Sequence, residues 1–441
     1  MSGKVTTEKD KIKKAESLPE GWKRVRLGEI AQIIMGQSPN SAFINKEGKG
    51  MPFLQGNAEF TQKFPVPIYW IEKPLKVAKP KSILMSVRAP VGDLNIADRF
   101  YCIGRGLSCI STFESYAKSE FMWHILHFSV KDLINLGQGS TFQAIGSNEI
   151  KSHLLPLPPL TEQQKIAEIL ETVDNAIEKT DAIIEKYRRI KKGLMADLLT
   201  GKIRLIPYGH SEAEGEESPL LTSPKAKKFV IGNKTFVAVP NQRWKNTPIG
   251  KIPEGWEVRK LGEIVNIFDS KRIPLDEEYR ANIKGEYPYC GATGIIDYIK
   301  DYIFEGEFVL IAEDGGKFGA FEDTAYIING KFWVNNHAHI VKGKENFLEN
   351  RYLKNFINYI DVTTYISGST REKLNQAILR SILLPLPPLP EQQLIADVLS
   401  QVDEVIEKEI QYKEKLERIK EGLMEDLLTG KVRVNNLIKE D

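Results

Sequence analysis

The sequence contains few cysteines, no long apolar run and almost no excess of charge of either sign. Its three cysteines, Cys102, Cys109 and Cys290, are too few for a disulfide framework and are typical of a reducing compartment. No apolar run approaches the roughly 18 residues that a membrane span needs. The charged segment 1–14 lacks the apolar stretch of a secretory signal. We therefore expect a cytoplasmic protein that does not associate with a membrane.

The charge balance excludes a globally basic chain. Lysine and arginine total 61 and the acids total 59, so a surface for nucleic acid must come from local clusters. The length of 441 residues favours several domains, at roughly 100 to 200 residues each.

Sequence signatures of catalysis are also missing. No Gly-x-x-x-x-Gly-Lys-Ser/Thr phosphate loop occurs, and the glycine-rich segment 315–319 has a different spacing. The chain has no Asn/Asp-Pro-Pro-Tyr element, which an amino-methylating enzyme would need to hold a flipped base. The pairs His124/His127 and His337/His339 have no further ligand beside them that would complete a metal site. We expect a chain that catalyses nothing by itself and holds neither a cofactor nor a metal.

A pair of short motifs occurs twice. Pro-Glu-Gly-Trp at 19–22 is followed by Leu-Gly-Glu-Ile at 27–30, and both motifs recur with the same spacing at 253–256 and 261–264. Such a recurrence indicates that the chain contains two copies of one structural plan.

A longer block, 154–202, recurs without a gap at 383–431. About two-thirds of its positions are identical, which is far above chance. Between the repeated blocks, 31–152 and 265–382 share little beyond a Gly-Ser-Thr triplet. A simple duplication would leave similarity spread evenly. The alternation therefore indicates two different heads and two matching spacers.

Each longer block predicts one long helix after a proline-rich lead-in, because proline cannot lie inside a helix. Thr161 and Gln164 provide a capping-box start in the first copy, and Pro390 provides the first helical position in the second. Thr-Gly at 200–201 and at 429–430 provides the stop.

Apolar residues in both predicted helices follow a heptad repeat, which is typical of a coiled coil. About 40 residues at 1.5 Å each give a rod of roughly 60 Å. Two such helices, joined by whole domains, would lie antiparallel. The alternative is an amphipathic helix that lies on its own domain. The heptad positions are Ile166, Leu170, Val173, Ile177, Ile184, Tyr187, Leu194 and Leu198 in the first copy and Ile395, Leu399, Val402, Ile406, Leu416, Leu423 and Leu427 in the second.

The two divergent regions combine short apolar runs with glycine-rich turns. Residues 83–87 and 308–312 are the clearest strands, and helices are predicted over 119–128 and 347–359. The predicted fold class is α+β, with two globular domains separated by two long helices that pair as an antiparallel coiled coil.

Polar and basic side chains in the divergent regions are candidates for DNA contacts. Arginine pairs with guanine, asparagine or glutamine with adenine, and serine or threonine with several bases. Lysine and arginine also bind phosphate. The candidates are Gln37, Ser38, Gln55, Asn57, Lys81, Arg88, Arg105, Gln138, Ser140 and Thr141 in the first region, and Lys271, Arg272, Thr293, Lys317, Asn335, Asn336, His337, Ser369, Thr370 and Arg371 in the second.

These residues also have structural explanations. Glycine-rich polar segments form turns, and a basic segment can be a solvated surface. Ser140 with Gln143 and Ser369 with Glu372 fit capping boxes, although a helix N-terminus can also bind a phosphate. In the second divergent region the acids outnumber the bases, so DNA binding there would depend on a few positions.

The combination resembles the specificity (S) subunit of type I restriction–modification systems. The resemblance is carried by the paired Pro-Glu-Gly-Trp and Leu-Gly-Glu-Ile motifs and by Gly-Ser-Thr before each proline-rich lead-in. Leu-Pro-Leu-Pro-Pro-Leu, Glu-Gln-Gln at 162–164 and 391–393, and helices that end in Leu-Leu-Thr-Gly-Lys complete it. Segments 86–92, 287–296 and 335–339 also look like segments common in this family's variable regions.

The resemblance implies that each divergent region is a target recognition domain that reads one half of an asymmetric, two-part site in double-stranded DNA. The paired helices would act as a ruler and dock two methyltransferase (M) subunits, and restriction/translocase (R) subunits would join for cleavage. S-adenosylmethionine, ATP and Mg are then expected on the partner subunits. The acidic, polar linker at about 207–228 departs from the family, and we expect it to be disordered.

The domain plan follows from the repeats and the resemblance. It consists of an N-terminal tail (1–17), target recognition domain 1 (18–153), spacer helix 1 (154–205), a partly disordered linker (206–251), target recognition domain 2 (252–382), spacer helix 2 (383–434) and a C-terminal tail (435–441).

Two other functional classes are compatible with parts of the sequence. A single-chain methyltransferase or nuclease with recognition domains would need the cofactor motifs that the chain lacks. A tandem scaffold for protein interactions would show no salt-dependent binding to DNA, whereas a DNA-binding protein weakens steeply as salt rises.

Overall fold

The computed structural model of the chain describes residues 18–136, 144–207, 227–231, 234–366 and 373–438. They divide into two compact units. Unit 1 contains 18–181 and 412–438, and unit 2 contains 182–411. Each unit therefore combines one divergent region with parts of both long helices.

Four helices recur in the same order in each repeat, and the second repeat has one additional short helix, α6 (Glu277–Asn282). The recurring helices are α1 (Leu27–Ile30), α2 (Ser119–Leu136), α3 (Ser147–Ser152), α4 (Leu160–Leu198), α5 (Leu261–Ile264), α7 (Asn350–Tyr359), α8 (Gln376–Ser381) and α9 (Leu389–Leu428).

Short strands build most of the divergent region of unit 1. They are β1 (Lys23–Arg26), β2 (Ala31–Met35), β3 (Ile44–Asn45), β4 (Met51–Leu54), β5 (Tyr69–Ile71), β6 (Val77–Ala78), β7 (Ile83–Ser86), β8 (Leu94–Ile96), β9 (Tyr101–Ile103), β10 (Leu107–Thr112) and β11 (Leu154–Leu157).

The strands of unit 2 follow the first long helix. They are β12 (Ile203–Pro207), β13 (Lys227–Ile231), β14 (Lys234–Pro240), β15 (Trp244–Thr247), β16 (Gly250–Pro253), β17 (Glu257–Lys260), β18 (Val265–Ile267), β19 (Lys284–Gly291), β20 (Gly294–Ile299), β21 (Phe304–Glu305), β22 (Phe308–Ala312), β23 (Ala325–Ile328), β24 (Lys331–Val334), β25 (Ala338–Gly343) and β26 (Leu383–Leu386).

The two divergent regions have the same strand order although their sequences differ. The sheet β2-β10-β7-β8 in unit 1 corresponds to β18-β25-β22-β23 in unit 2, and β1-β11 corresponds to β17-β26. In a second sheet, β5-β4-β9-β6 corresponds to β20-β19-β24-β21, and the pairs β4–β9 and β19–β24 are both parallel. Positions in one domain can therefore be matched to positions in the other through strand register.

Apolar strands form the centre of each domain. All four residues of β7 and all five of β22 are buried, as expected for strands covered on both faces. In unit 1 the core continues through α2 to Leu170 of α4 and Leu427 of α9. In unit 2 it continues through α7 to Leu198 of α4 and Leu399 of α9. The domain and the helix segments of each unit thus share one core.

Within each unit the segments of α4 and α9 pair in antiparallel orientation, and the predicted coiled coil is confirmed. In unit 1, Lys420 Nζ lies 2.6 Å from Asp174, and Lys413 Nζ lies 2.8 Å from Asp181. The partner on α9 moves backwards as α4 advances, which defines the direction. In unit 2, Lys191 Nζ lies 2.5 Å from Asp403.

The end of α4 is joined to the second Pro-Glu-Gly-Trp motif by a buried carboxylate in unit 2. Arg204, just after α4, donates two hydrogen bonds of 2.7 Å to Glu391 near the start of α9. Trp256 Nε1 donates to the same carboxylate at 3.0 Å. A side chain on Gly201, whose φ is +71°, would collide with Pro253 of the motif. Glycine is therefore required where the helix ends against the motif.

The same arrangement occurs in unit 1, where the end of α9 meets the start of α4 and the first Pro-Glu-Gly-Trp motif. Arg433, just after α9, donates to Glu162 near the start of α4, with a 2.9 Å bond from Nε. Trp22 Nε1 donates to Glu162 at 3.3 Å, and Gly430 lies against Pro19. Each unit is thus completed by the end of a helix that begins in the other repeat.

The structure departs from several boundaries predicted from sequence. The helix expected over 119–128 continues to Leu136, and the helix expected from 347 begins at Asn350, where the Glu349 side chain accepts from Tyr352 N–H. The long helices begin at Leu160 and Leu389, so Thr161 lies inside the first helix and does not cap it, and Pro390 is the second helical residue of the other.

The described part of the predicted linker contains strands. β12, β14 and β13 form one sheet, and β15 and β16 form a hairpin. The acidic stretch 208–226 lies outside the described residues. The strands β1 and β11 pair across the predicted boundary at 153/154, which places the lead-in to α4 within the fold of the first domain.

A buried histidine lies where α2 meets the long helices of unit 1. His124 is 4% exposed, and its Nδ1 lies 3.9 Å from Asp174. Burial lowers the pKa of His124 to about 4, with Asp174 opposing the shift and Lys420 adding to it. Asn355 of α7 occupies the matching position in unit 2 and is also buried.

The replacement Glu391→Ala is expected to destabilise unit 2 by roughly 3 kcal/mol, because it leaves the Arg204 guanidinium and the Trp256 N–H without their acceptor. Chemical denaturation of the full chain measures this change. Glu404→Ala alters an exposed position of the same helix and should change the free energy of unfolding by less than about 0.5 kcal/mol. Equal effects of the two replacements would contradict the assignment.

Lowering the pH from 6.5 towards 4 is expected to destabilise unit 1. In this window the unfolded chain binds a proton at His124 and the folded chain does not, so the free energy of unfolding falls as the pH falls, by roughly 3 kcal/mol at most from this residue. His124→Asn, which introduces the residue found in unit 2, should flatten the pH dependence of denaturant unfolding. An unchanged slope would argue against a neutral buried imidazole.

Candidate nucleic-acid interface

In each domain four strands end at one edge, and the segments that follow them lie side by side. We call these segments loop edge 1 in unit 1 and loop edge 2 in unit 2. Loop edge 1 comprises 36–38 after β2, 55–57 after β4, 87–93 after β7 and 104–106 after β9, and loop edge 2 comprises 268–272 after β18, 292–293 after β19, 313–317 after β22 and 335–337 after β24.

Close backbone packing holds loop edge 1 together. A Cβ on Gly104 would lie 2.8 Å from the carbonyl oxygen of Gln55, and a Cβ on Gly36 would collide with the carbonyl of Gly104. The N–H of Val87 donates to the carbonyl of Gly106 at 2.9 Å. The glycines therefore allow the four segments to touch, which brings residues far apart in sequence to one surface.

Six predicted DNA-binding residues lie on loop edge 1. Asn57 is half-buried, and its Nδ2 donates to Asp93 at 2.5 Å. Two of the exposed residues are arginines, and the surface is therefore rich in hydrogen-bond donors. The exposed members are Gln37, Ser38, Gln55, Arg88 and Arg105.

Lys81 is not part of this surface. It precedes β7, at the opposite end of the strand from Arg88. It has a positive φ of 68°, and its Nζ lies 3.7 Å from Glu120. A contact from Lys81 to DNA would need a different face of the domain.

A buried carboxylate organises loop edge 2. Asp269 accepts from the N–H of Ile340 at 3.0 Å and from Gln376 Nε2 at 2.9 Å, and it lies 2.6 Å from Nδ1 of His339. Burial raises the pKa of Asp269, but the hydrogen bonds from His339, Ile340 and Gln376 outweigh it and hold the pKa below its usual value. The aspartate remains charged and fixes the segment after β18.

Arg272 supports loop edge 2 from within. Its Nη1 donates to Glu313 at 2.6 Å and to the carbonyl oxygen of Ala338 at 3.0 Å, and its side chain is 15% exposed. These contacts occupy donors that the sequence interpretation assigned to DNA. Lys271, the preceding residue, is exposed.

A cleft of about 560 Å³ opens in loop edge 2. Asp314 on its wall is 8% exposed and forms a hydrogen bond with His337, whose Nδ1 faces the carboxylate. Asn335 is buried and accepts from the N–H of His337 at 2.9 Å. Of the predicted residues, Thr293, Asn335 and His337 line the cleft, while Asn336 and Lys317 are exposed beside it.

Six further predicted residues lie outside the described residues. They occupy segments that immediately precede Ala144 and Lys373, which form isolated bridges to Arg88 and Asp314. The predictions for these positions stand untested: Gln138, Ser140, Thr141, Ser369, Thr370 and Arg371.

Sequence reasoning missed Asp314, Glu313 and Asp269 as parts of the site. The sequence interpretation counted these acids against DNA binding. In the structure, Glu313 accepts a hydrogen bond from Arg272, and Asp314 forms a hydrogen bond with His337. The signal available in the sequence was position, because Glu313 and Asp314 directly follow the buried strand β22, as Val87 and Arg88 follow β7.

Two general features bear on the class of protein. None of the helices in the described parts of the chain has the length and apolarity that crossing a membrane requires. The residues that the structure describes contain no group of three or more His, Cys, Asp or Glu side chains arranged to hold a metal ion.

Comparisons with known proteins identify the family. The sequence profile described as the type I restriction modification DNA specificity domain matches residues 19–186 and 253–418. The chain is 45% identical over 202 residues to the putative type I restriction enzyme MjaX specificity subunit of Methanocaldococcus jannaschii. That alignment covers 45% of this chain and 48% of the relative, or about half the length of that relative.

Two further comparisons extend over almost the whole chain. The type I restriction enzyme MjaVIII specificity subunit of the same organism is 26% identical over 460 residues, with 95% of each chain covered. The crystal structure of the type I restriction–modification S subunit from M. genitalium aligns with a TM-score of 0.61 at 15% identity, covering 94% of this chain and 97% of that one, and shows a shared fold. On the strength of the profile match to both repeats, this chain belongs to the type I restriction–modification DNA specificity family.

Proposed function

We propose that this chain is the non-catalytic DNA-recognition subunit of a type I restriction–modification complex, and that each loop edge reads one half of an asymmetric, two-part site. The observation that carries the proposal is the pair of loop edges, which have the same strand framework and different side chains. Two unlike surfaces would read two unlike half-sites.

The candidate residues divide into two roles. Exposed Arg88, Arg105, Lys271 and Lys317 would contact phosphate or guanine, because cations bind both. Amide and hydroxyl groups would read base edges. The candidates for this second role are Gln37, Ser38, Gln55, Asn57, Thr293, Asn335 and Asn336.

The paired helices would set the spacing between half-sites and dock two methyltransferase subunits, with restriction/translocase subunits joining for cleavage. The helix pairing supports this role, because ion pairs such as Lys420–Asp174 and Lys191–Asp403 fix one register. S-adenosylmethionine, ATP and Mg would be bound by the partner subunits. The chain itself would contribute recognition and assembly.

The alternatives make different predictions. A single-chain methyltransferase would transfer methyl groups without a partner, and a scaffold for proteins alone would show no DNA binding that weakens with salt. Loop edge 1 favours DNA, since exposed Arg88 and Arg105 lie beside exposed Gln37 and Gln55 on one surface. Methylation assays and binding at several salt concentrations with the purified chain, alone and with its partners, separate the three classes.

Adding seven residues to both long helices, after Asp181 and before Tyr412, should lengthen the gap in the recognised site by about three base pairs. Seven residues at 1.5 Å each add roughly 10 Å while keeping the heptad seam, and base pairs are about 3.4 Å apart. Sequencing of methylated sites in cells that carry the chain and its partners measures the gap.

Adding seven residues to the first long helix alone serves as the control, because the two helices then differ in length and their heptad positions no longer match. This variant should lose methylation and stability together. The ruler role would be refuted by a seven-residue variant that still methylates the original site with an unchanged gap.

Arg105→Ala should weaken binding of the assembled complex to its DNA site by roughly tenfold, because it removes an exposed guanidinium after β9. If Arg105 contacts phosphate, all sequences weaken alike and the slope of log K against log salt falls by about one; if it contacts a base, preference relaxes at one position. Fluorescence anisotropy with duplexes at several salt concentrations distinguishes these cases.

Arg99→Ala is the matched control, since Arg99 is also exposed but precedes β9 at its other end. It should bind as the unaltered chain does. Equal losses for both variants would show that loop edge 1 has no special role.

A further inference from the structure

Arg88 and Asp314 occupy the same place in the two domains. Each is the second residue after the central buried strand, β7 or β22, and each forms an isolated backbone bridge, to Ala144 and Lys373 respectively. Loop edge 1 therefore presents a guanidinium where loop edge 2 presents a carboxylate.

The backbone contact one residue earlier confirms this correspondence. The N–H of Val87 donates to the carbonyl of Gly106, and the N–H of Glu313 donates to the carbonyl of His337. His337 thus stands where the first domain has a glycine. The bond between Asp314 and His337 is built from residues that are specific to the second domain.

The other acids of loop edge 2 are already neutralised. Glu313 lies 2.6 Å from Arg272 and 3.0 Å from Lys373, and Asp269 lies against His339. Asp314 differs because it lines the open cleft and its partner is an imidazole ring whose side chain is 44% exposed.

The Asp314–His337 pair has the chemistry of a hydrogen-bond acceptor. When the Nδ1–H of a neutral imidazole donates to a carboxylate, Nε2 carries the lone pair and accepts. A carboxylate also repels phosphate and the acceptor atoms of guanine, whereas the amino groups of cytosine N4 and adenine N6 donate in the major groove. Gly315 and Gly316 on the cleft wall leave room for a base edge.

We infer that loop edge 2 reads the exocyclic amino group of an adenine or cytosine through Asp314 and His337. At the matching position of loop edge 1, Arg88 donates hydrogen bonds to a base or a phosphate. This inference rests on the proposed function and deepens it. At matching positions of one fold, the first domain then donates hydrogen bonds to its half-site and the second accepts them from its own.

Asp314→Asn tests the inference, because it keeps the shape of the side chain and removes the charge. In cells that carry the chain and its partner subunits, sequencing of methylated sites should show relaxed preference at one position of one half-site, by roughly tenfold. The other half-site should not change. Asp301→Asn, at an exposed position of unit 2 outside loop edge 2, is the control and should alter neither half-site.

Base analogues identify the amino group. At the position where Asp314→Asn acts, purine replaces adenine or 2-pyrimidinone replaces cytosine, so that only the amino group is lost. The unaltered complex should bind the analogue duplex roughly tenfold more weakly, and the Asp314→Asn complex should bind both duplexes alike. The analogue that has this effect shows which of the two bases is read.

The outcomes separate the inference from the proposed function. If the unaltered chain directs methylation to a two-part site and Asp314→Asn leaves both half-sites unchanged, the inference is overturned and the proposed function stands. If the unaltered chain directs no sequence-specific methylation or binding, the proposed function fails. Should Asp314→Asn not accumulate as folded protein, His337→Ala, at a more exposed residue, must relax preference at one position of one half-site and leave the other half-site unchanged.

Discussion

The structure depends on one repeated contact, in which a buried glutamate at the start of a long helix accepts from the arginine that follows the other long helix. Glu391 holds Arg204 and Trp256 in unit 2, and Glu162 holds Arg433 and Trp22 in unit 1. A buried carboxylate is stable only when its hydrogen bonds are satisfied. This requirement joins a helix start, a helix end and a tryptophan motif from different parts of the sequence, and so converts a tandem repeat into two closed units.

The two domains have one strand framework but present different side chains on it. Strand order is retained because the central strands need only be apolar and buried, a demand that many sequences meet. The loop residues need not be apolar, and the main requirement on them is glycine where two segments touch. Arg88 in one domain and Asp314 in the other therefore occupy one structural position with opposite charge. The divergent regions differ in buried strands as well as in loops but keep one framework, and the repeated blocks stay alike where they must pair with each other.

The long helices could be predicted from sequence because their signals are local: a proline-rich lead-in, a heptad and a Thr-Gly stop. The strand 308–312 was also predicted correctly, since a short apolar run bounded by polar residues is a local signal. The common strand order could not be seen, because pairing such as β4 with β9 joins segments about 50 residues apart. The same limit applies to the candidate site: Gln55 and Arg105 could be proposed from residue type, whereas the contacts of Asp269 and Arg272 exist only in the folded chain.

The crossed connection between helix ends and tryptophan motifs has a consequence for biosynthesis. Unit 2 is one continuous stretch, 182–411, whereas unit 1 needs both 18–181 and 412–438. On a ribosome, where domains generally fold as they emerge, the amino-terminal domain is made first yet waits for Arg433, at the far end of the chain, before Glu162 and Trp22 gain their partner. Synthesis of unit 1 therefore begins before that of unit 2, but unit 1 is completed after it.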